Sequence, residues 1–123
     1  WIGPDSAFTS MHRDHYDNFY AVVSGQKTFI MYPPTDTLFL GRCEHTAGRF
    51  DRNEKGEYTA VLSREEKVPW IGVRCDRDEE EEKKRIPLLK HARRVEVNVN
   101  EGEVFFLPSQ WYHAVGQKAT NAG

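Results

Sequence analysis

The stretch Thr9–Pro34, TSMHRDHYDNFYAVVSGQKTFIMYPP, decides the fold. Its middle holds two β-prone runs about a turn. Asn18–Val23, NFYAVV, is aromatic and β-branched, which suits a pleated, half-buried surface. Ser24-Gly25-Gln26 then reads as a tight turn. Lys27–Tyr32, KTFIMY, is the returning strand. Its apolar and polar residues do not alternate strictly, so at least one end should be buried on both faces. Pro33-Pro34 cannot donate to a ladder and stops it. Ahead of this hairpin, Gly3-Pro4-Asp5-Ser6 is a turn signal, and Ala7 to Asp14 is expected to run as a strand.

A second ordered block begins at Val95. VEVNV, residues 95–99, alternates apolar and polar, as a strand with one face in the core does. Asn100-Glu101-Gly102-Glu103 is a turn, VFFL (104–107) a buried strand ended by Pro108, and WYHAV (111–115) the start of the next strand. Between the two blocks, residues 35–94 read as a less regular insert or loop region, punctuated by Gly41, Gly48, Gly56, Pro69, Gly72 and Pro87. The charge run Asp76–Arg85 has no apolar stripe and is expected as a solvated loop or exposed helix. Short strands between turns, without a long amphipathic helix, predict an all-β jelly-roll barrel, a double-stranded β-helix.

Composition narrows the function. A chain of 123 residues supports one core, not two. The formal net charge of -2 gives no basic excess for phosphates, so nucleic acid is not an expected partner. No apolar run is long enough to span a membrane as a helix, so none is expected. Two cysteines, Cys43 and Cys75, do not make a disulfide framework and suit a reducing compartment. The first residue is Trp1 and already reads as domain interior, so the chain is expected to be a segment of a longer protein.

The chemistry lies in histidine and aspartate. On a strand, residues i and i+2 share a face. His12-Arg13-Asp14 therefore presents an imidazole and a carboxylate side by side, and His15-Tyr16-Asp17 matches the same three-residue pattern from the opposite face. His113, on a distant strand, offers a third ligand. Two histidines and one carboxylate on one face of an octahedral ion form the facial triad of non-haem Fe(II) oxygenases, whose open positions take a 2-oxo acid and O2. Such an acid needs a cation for its distal carboxylate, and Lys27 opens the strand after the hairpin. Thr9 and Asn18 are short polar groups near the motif. Thr9 reaches the same side as His12 only with a local twist or bulge.

These residues resemble the JmjC and asparaginyl-hydroxylase group of cupin-type oxygenases. Thr9–Asp36 is similar to the first half of that group's core. EGEVFFLPSQWYHAV, Glu101–Val115, is similar to its second half, where a Gly-Glu turn, a Leu-Pro and a Trp-x-His recur. Trp1-Ile2-Gly3 and Val68-Pro69-Trp70-Ile71 resemble the lysyl-hydroxylase branch. The likeness is weakest over residues 37–67 and 72–94.

The resemblance implies Fe(II) held by His12, Asp14 and His113, in preference to His15. It places the 2-oxoglutarate lysine at Lys27, the preceding threonine at Thr9 and the following asparagine at Asn18. Trp111 falls on an aromatic beside the distal histidine, and His15 becomes a packing or supporting residue. The implied reaction is lysyl hydroxylation at carbon on a protein, such as a translation-associated GTPase, in the cytoplasm and also the nucleus. N-methyl-lysine demethylation, histone-tail peptidase activity and a non-catalytic cupin-like binding domain are the alternatives. Dimerisation, if present, is expected through elements outside the segment. The group also carries a strand after the distal histidine that the tail GQKATNAG is not expected to form.

Overall fold

The computed structural model describes residues 1–119. Eight strands form in chain order: β1 (Phe8–His12), β2 (Asn18–Ala21), β3 (Gln26–Tyr32), β4 (Arg42–Arg52), β5 (Tyr58–Ile71), β6 (Val95–Asn100), β7 (Val104–Leu107) and β8 (Tyr112–Lys118). One four-stranded antiparallel sheet has the order β1-β8-β3-β6, and β2 pairs with β7 in a second sheet. The two sheets pack face to face as the layers of a jelly roll. Their shared interior holds Val22, Phe29, Met31, Val99 and Leu107, with Tyr20, Val97, Phe105, Trp111 and Val115 packed around them.

The irregular pattern of KTFIMY has its cause here. Phe29 and Met31 point between the sheets, while Ile30 and Tyr32 point to the outer face. That outer face is covered by Leu40, Val73 and Leu89 from the connecting segments. All four strand residues are therefore buried, from 0% to 9% exposed. Removing Phe29 to Ala would forfeit about 3–5 kcal/mol of transfer and cavity energy.

Residues 35–94 are more ordered than their Gly and Pro content predicts. β4 and β5 form a long two-stranded hairpin, with short 3-10 helices at Pro34–Phe39 and Pro87–His91 and one helix, α1 (Glu79–Arg85). The hairpin was not legible because most of its residues are exposed on both faces, which removes the period-2 signal. The charge run resolves into α1. Asp78 caps it by accepting from the Glu80 and Glu81 N–H groups, with acids in its first turn and bases in its last, as the helix dipole favours. One acid of the run is buried: Glu82 accepts from the Arg74 N–H at 2.9 Å and pairs with Arg85. Asp36 is buried likewise, accepting from the Arg93 N–H at 2.7 Å and its guanidinium at 2.8 Å. This pair ties the first 3-10 helix to the segment entering β6.

Two boundaries differ from expectation. β1 ends at His12 rather than Asp14, and its pairing with β8 shifts between Thr9 and His12. β2 ends at Ala21 rather than Val23, while β8 continues from its expected start to Lys118, with no further strand after it among the described residues. Residues 120–123 lie outside the described residues.

Candidate metal centre

β8 is the middle of the site. Its register sets His113 opposite Met31 of β3 and opposite His12 of β1. Val115 then lies against Phe29 and Thr9, and Gln117 against Lys27. Because alternate residues share a face, His113, Val115 and Gln117 all look into the space between the sheets. Asp14 arrives differently. It lies past the end of β1, in a turn whose carbonyl accepts the Gln110 N–H at 2.9 Å. Asp14 lies outside the regular strand, so its place beside His12 depends on the segment that follows β1. Gln110 adopts φ 68, the left-handed region that non-glycine residues seldom occupy, and this places its N–H toward Asp14.

Three ligating groups converge. One atom each from His12, Asp14 and His113 lies within 4.8 Å of the others. His12 Nε2 is 3.9 Å from one Asp14 oxygen, and His113 Nε2 is 3.7 Å from the other. The imidazole centroids are 4.2 Å apart. Each ring is fixed from behind. His12 Nδ1 lies 2.8 Å from the Ser10 carbonyl, and His113 Nδ1 lies 3.0 Å from the Trp111 carbonyl. A carbonyl only accepts, so each Nδ1 carries the proton and each Nε2 presents a lone pair. Asp14 is steadied by Asn18, whose Nδ2 donates to it at 3.1 Å. Backbone carbonyls behind imidazoles and an amide on the carboxylate are the supports that metal ligands characteristically have.

The donor set fits a divalent cation. His113 Nε2 is buried and has no hydrogen-bond partner, alone in this among the described buried side-chain polar atoms. An orphan acceptor of this kind costs about 1–3 kcal/mol unless something satisfies it. Burial also pushes the His113 imidazole below its ordinary pKa, which keeps it in the neutral, ligating form. Two imidazole nitrogens and one carboxylate can hold a divalent ion and leave coordination positions open, a donor set that non-haem Fe(II) sites use and catalytic zinc sites can share.

Beside the triad is a pocket of about 160 Å³ lined by Trp1, Thr9, His12, Asp14, Tyr16, Asn18, Tyr20, Lys27 and Val115. Thr9, Asn18 and Lys27 are thus brought to one cavity with two of the three triad residues. The bulge between Thr9 and His12 turns both inward, as the motif required. Lys27 is half-buried, and its ammonium donates to Gln117 Oε1 at 3.2 Å. Gln117 in turn donates to the Pro4 carbonyl at 3.0 Å. Its bridging place was missed in the sequence, although pairing KTFIMY with WYHAV and extending by two residues would have found it. Tyr20 and Trp1, with ring centroids 5.6 Å apart, were missed as well.

Two expected positions differ. Trp111 does not line this pocket; its ring packs in the core between the sheets, and only its carbonyl serves the site. His15 is exposed rather than packed, and its carbonyl accepts from Ser109 Oγ. Asp17, its partner in the second motif match, accepts the Ser109 N–H at 2.7 Å and belongs to the loop framework. Both cysteines are unpaired, and burial pushes the Cys75 thiol up to about 12, which makes it unreactive.

Comparison with known proteins agrees with this geometry. The cupin-like domain family matches residues 1–122. The chain is 36% identical over 118 residues to human bifunctional peptidase and (3S)-lysyl hydroxylase JMJD7, covering 95% of this chain and 36% of that protein. It is 36% identical over 129 residues to lysine-specific demethylase JMJ32 of Arabidopsis thaliana, covering 100% of this chain and 37% of that protein. JmjC domain-containing protein E of Dictyostelium discoideum is 34% identical over 128 residues, covering 97% and 36%. The chain therefore spans little more than a third of the length of these relatives. With the family match over almost its whole length and a His-Asp-His cluster at the mouth of a jelly roll, the chain belongs to the cupin-like, JmjC family of oxygenases.

Proposed function

We propose that this chain carries the Fe(II) and 2-oxoglutarate site of a protein lysyl hydroxylase, with His12, Asp14 and His113 as the metal ligands. The observation that carries the reading is the buried, unpartnered His113 Nε2, turned toward His12 and Asp14. Iron bound there supplies oxygen activation coupled to oxidative decarboxylation of 2-oxoglutarate to succinate. The chain's own residues do the positioning. Ser10 and Trp111 carbonyls fix the imidazoles, and Asn18 holds the carboxylate. Lys27 presents its ammonium to the distal carboxylate of the cosubstrate, with Thr9 and Asn18 on the same wall. Tyr20 and Val115 add apolar surface to the same cavity. No side chain needs to act as a nucleophile or general base.

The substrate we propose is a lysine-bearing protein, a translation-associated GTPase in the cytoplasm and nucleus, in line with the relative named a lysyl hydroxylase. A second reading has equal footing in identity: a relative of the same similarity is named a lysine-specific demethylase. Both oxidations use one site, so the test is the product. The protein is incubated with lysine and methyl-lysine peptides, Fe(II), 2-oxoglutarate and O2, and the peptides are weighed by mass spectrometry. Gain of one oxygen supports hydroxylation, loss of a methylene supports demethylation, and backbone cleavage supports a peptidase. Absence of succinate, of any mass change and of cleavage under all these conditions would leave only a binding domain.

A further inference from the structure

His12 stands between two cavities. One is the pocket of Lys27 and Thr9. The other, about 310 Å³, lies on the outer face of the four-stranded sheet and is lined by Met11, His12, Arg13, Thr37, Arg42, Pro69, Trp70, Ile71 and Tyr112. Apart from His12, the residues lining the second are not ones placed above as holding the metal or the cosubstrate. Its walls come from the end of β1, the start of β4 and the end of β5, so the long hairpin forms one side of it.

Its charge is one-sided. Arg13 and Arg42 both face it, and among the described residues neither has a carboxylate within ion-pair distance. The arginines at positions 49, 74, 85, 93 and 94 each have one, while those at 52, 64 and 77 do not, but only Arg13 and Arg42 line this cavity. Asp14 follows Arg13 in sequence, but its oxygens are turned to His12, His113 and Asn18. The Arg13 guanidinium lies over the Tyr112 ring, 5.4 Å from its centroid. Tyr112 is itself buried and held by its hydroxyl, 3.1 Å from Thr37 Oγ1, which donates to the Pro34 carbonyl. A guanidinium within cation-π range of a fixed ring is restrained there while its N–H groups still have donors for a carboxylate. Trp70, Pro69 and Ile71 give the pocket an apolar wall for the aliphatic part of a side chain.

We infer that this arginine pocket takes an acidic side chain, Asp or Glu, of the protein substrate close in sequence to the residue that reacts. Two unpaired cations on a chain of net charge -2 are a local complement to a carboxylate rather than part of a basic surface. The shared wall at His12 puts such an anchor next to the metal centre, where it would set the register of the peptide. The inference rests on the reading of the substrate as a protein.

The test uses a set of fluorescent peptides with one central lysine and a single Glu, Gln or Lys stepped from three residues before it to three after. Binding is measured anaerobically by anisotropy with Mn(II) and 2-oxoglutarate present. Glutamate at one offset should tighten binding about tenfold over glutamine, the scale of one exposed charge-assisted contact. Arg13→Gln with Arg42→Gln should erase the preference, and Arg13→Lys with Arg42→Lys should keep part of it. Equal binding of Glu and Gln peptides at every offset, including no binding across the set, overturns the inference. So does a glutamate preference that survives in the double Gln variant. Succinate formation by the unmodified protein tests the oxygenase reading separately, so the two can fail independently.

Discussion

Replacing Lys27 with Met removes the ammonium and keeps the unbranched stem to within one atom. Lys27 is half-buried, has three protons to donate, and gives one to Gln117 Oε1 at 3.2 Å. Two remain for a carboxylate in the pocket it lines with Thr9 and Asn18. A hydrogen bond to a charged group contributes about 1.5–3 kcal/mol, and partial exposure takes the upper end off that range. At about 1.4 kcal/mol per tenfold, 1.5–2.5 kcal/mol is roughly a 10- to 60-fold rise in the 2-oxoglutarate concentration needed for half-maximal turnover. The assay is succinate release against 2-oxoglutarate concentration, repeated with pyruvate, which lacks the distal carboxylate. Lys27→Met should lose the preference for 2-oxoglutarate over pyruvate, while Lys27→Arg keeps most of it. An unchanged half-saturating concentration in Lys27→Met, or an intact preference for the dicarboxylic acid, would refute the assignment.

Further changes probe the supports. Asn18→Ala removes the donor to Asp14 and should weaken metal affinity about 10- to 100-fold, read by competition with a fluorescent chelator. Gly25→Ala should cost at least about 2 kcal/mol in a denaturant melt, since φ is +85 and the new Cβ would lie 2.4 Å from the Lys118 carbonyl. Asp36→Ala should cost about 1–3 kcal/mol, the lower side of a buried pair because Arg93 is largely exposed and rehydrates. Arg93 holds the Asp36 carboxyl below its ordinary pKa. The unmodified chain should therefore keep this stabilisation above about pH 4 and lose it as pH falls through the depressed folded value, whereas the Asp36→Ala melt should be flatter over that window.

The jelly roll was legible where burial imposes a pattern. The runs KTFIMY, VEVNV and VFFL form strands, as does NFYAVV as far as Ala21, because each sends residues into the cores on either side of β3, although Val104 and Phe106 of the run expected to be buried are exposed. The hairpin β4–β5 was not, because a ribbon exposed on both faces carries no alternation and its glycines read as loop. At the site, the three convergent side chains were readable as residue types, but the reason they meet was not. Asp14 reaches the imidazoles from a segment past β1 whose backbone is held by Gln110, and Thr9 through a register shift in the pairing with β8. Gln117 was passed over for the same reason: its role exists only once Lys27 stands opposite it in the sheet. Trp111 shows the reverse, a residue whose type suggested contact with the site while its carbonyl does the work.

The central claim is a single ferrous ion on His12, Asp14 and His113. Anaerobic titration of the protein with Fe(II), followed by calorimetry, measures it most directly. One ion per chain should bind, with the affinity lost in His12→Ala, Asp14→Ala and His113→Ala and retained in His15→Ala. Unchanged binding in a variant lacking both Asp14 and His113 would contradict the account.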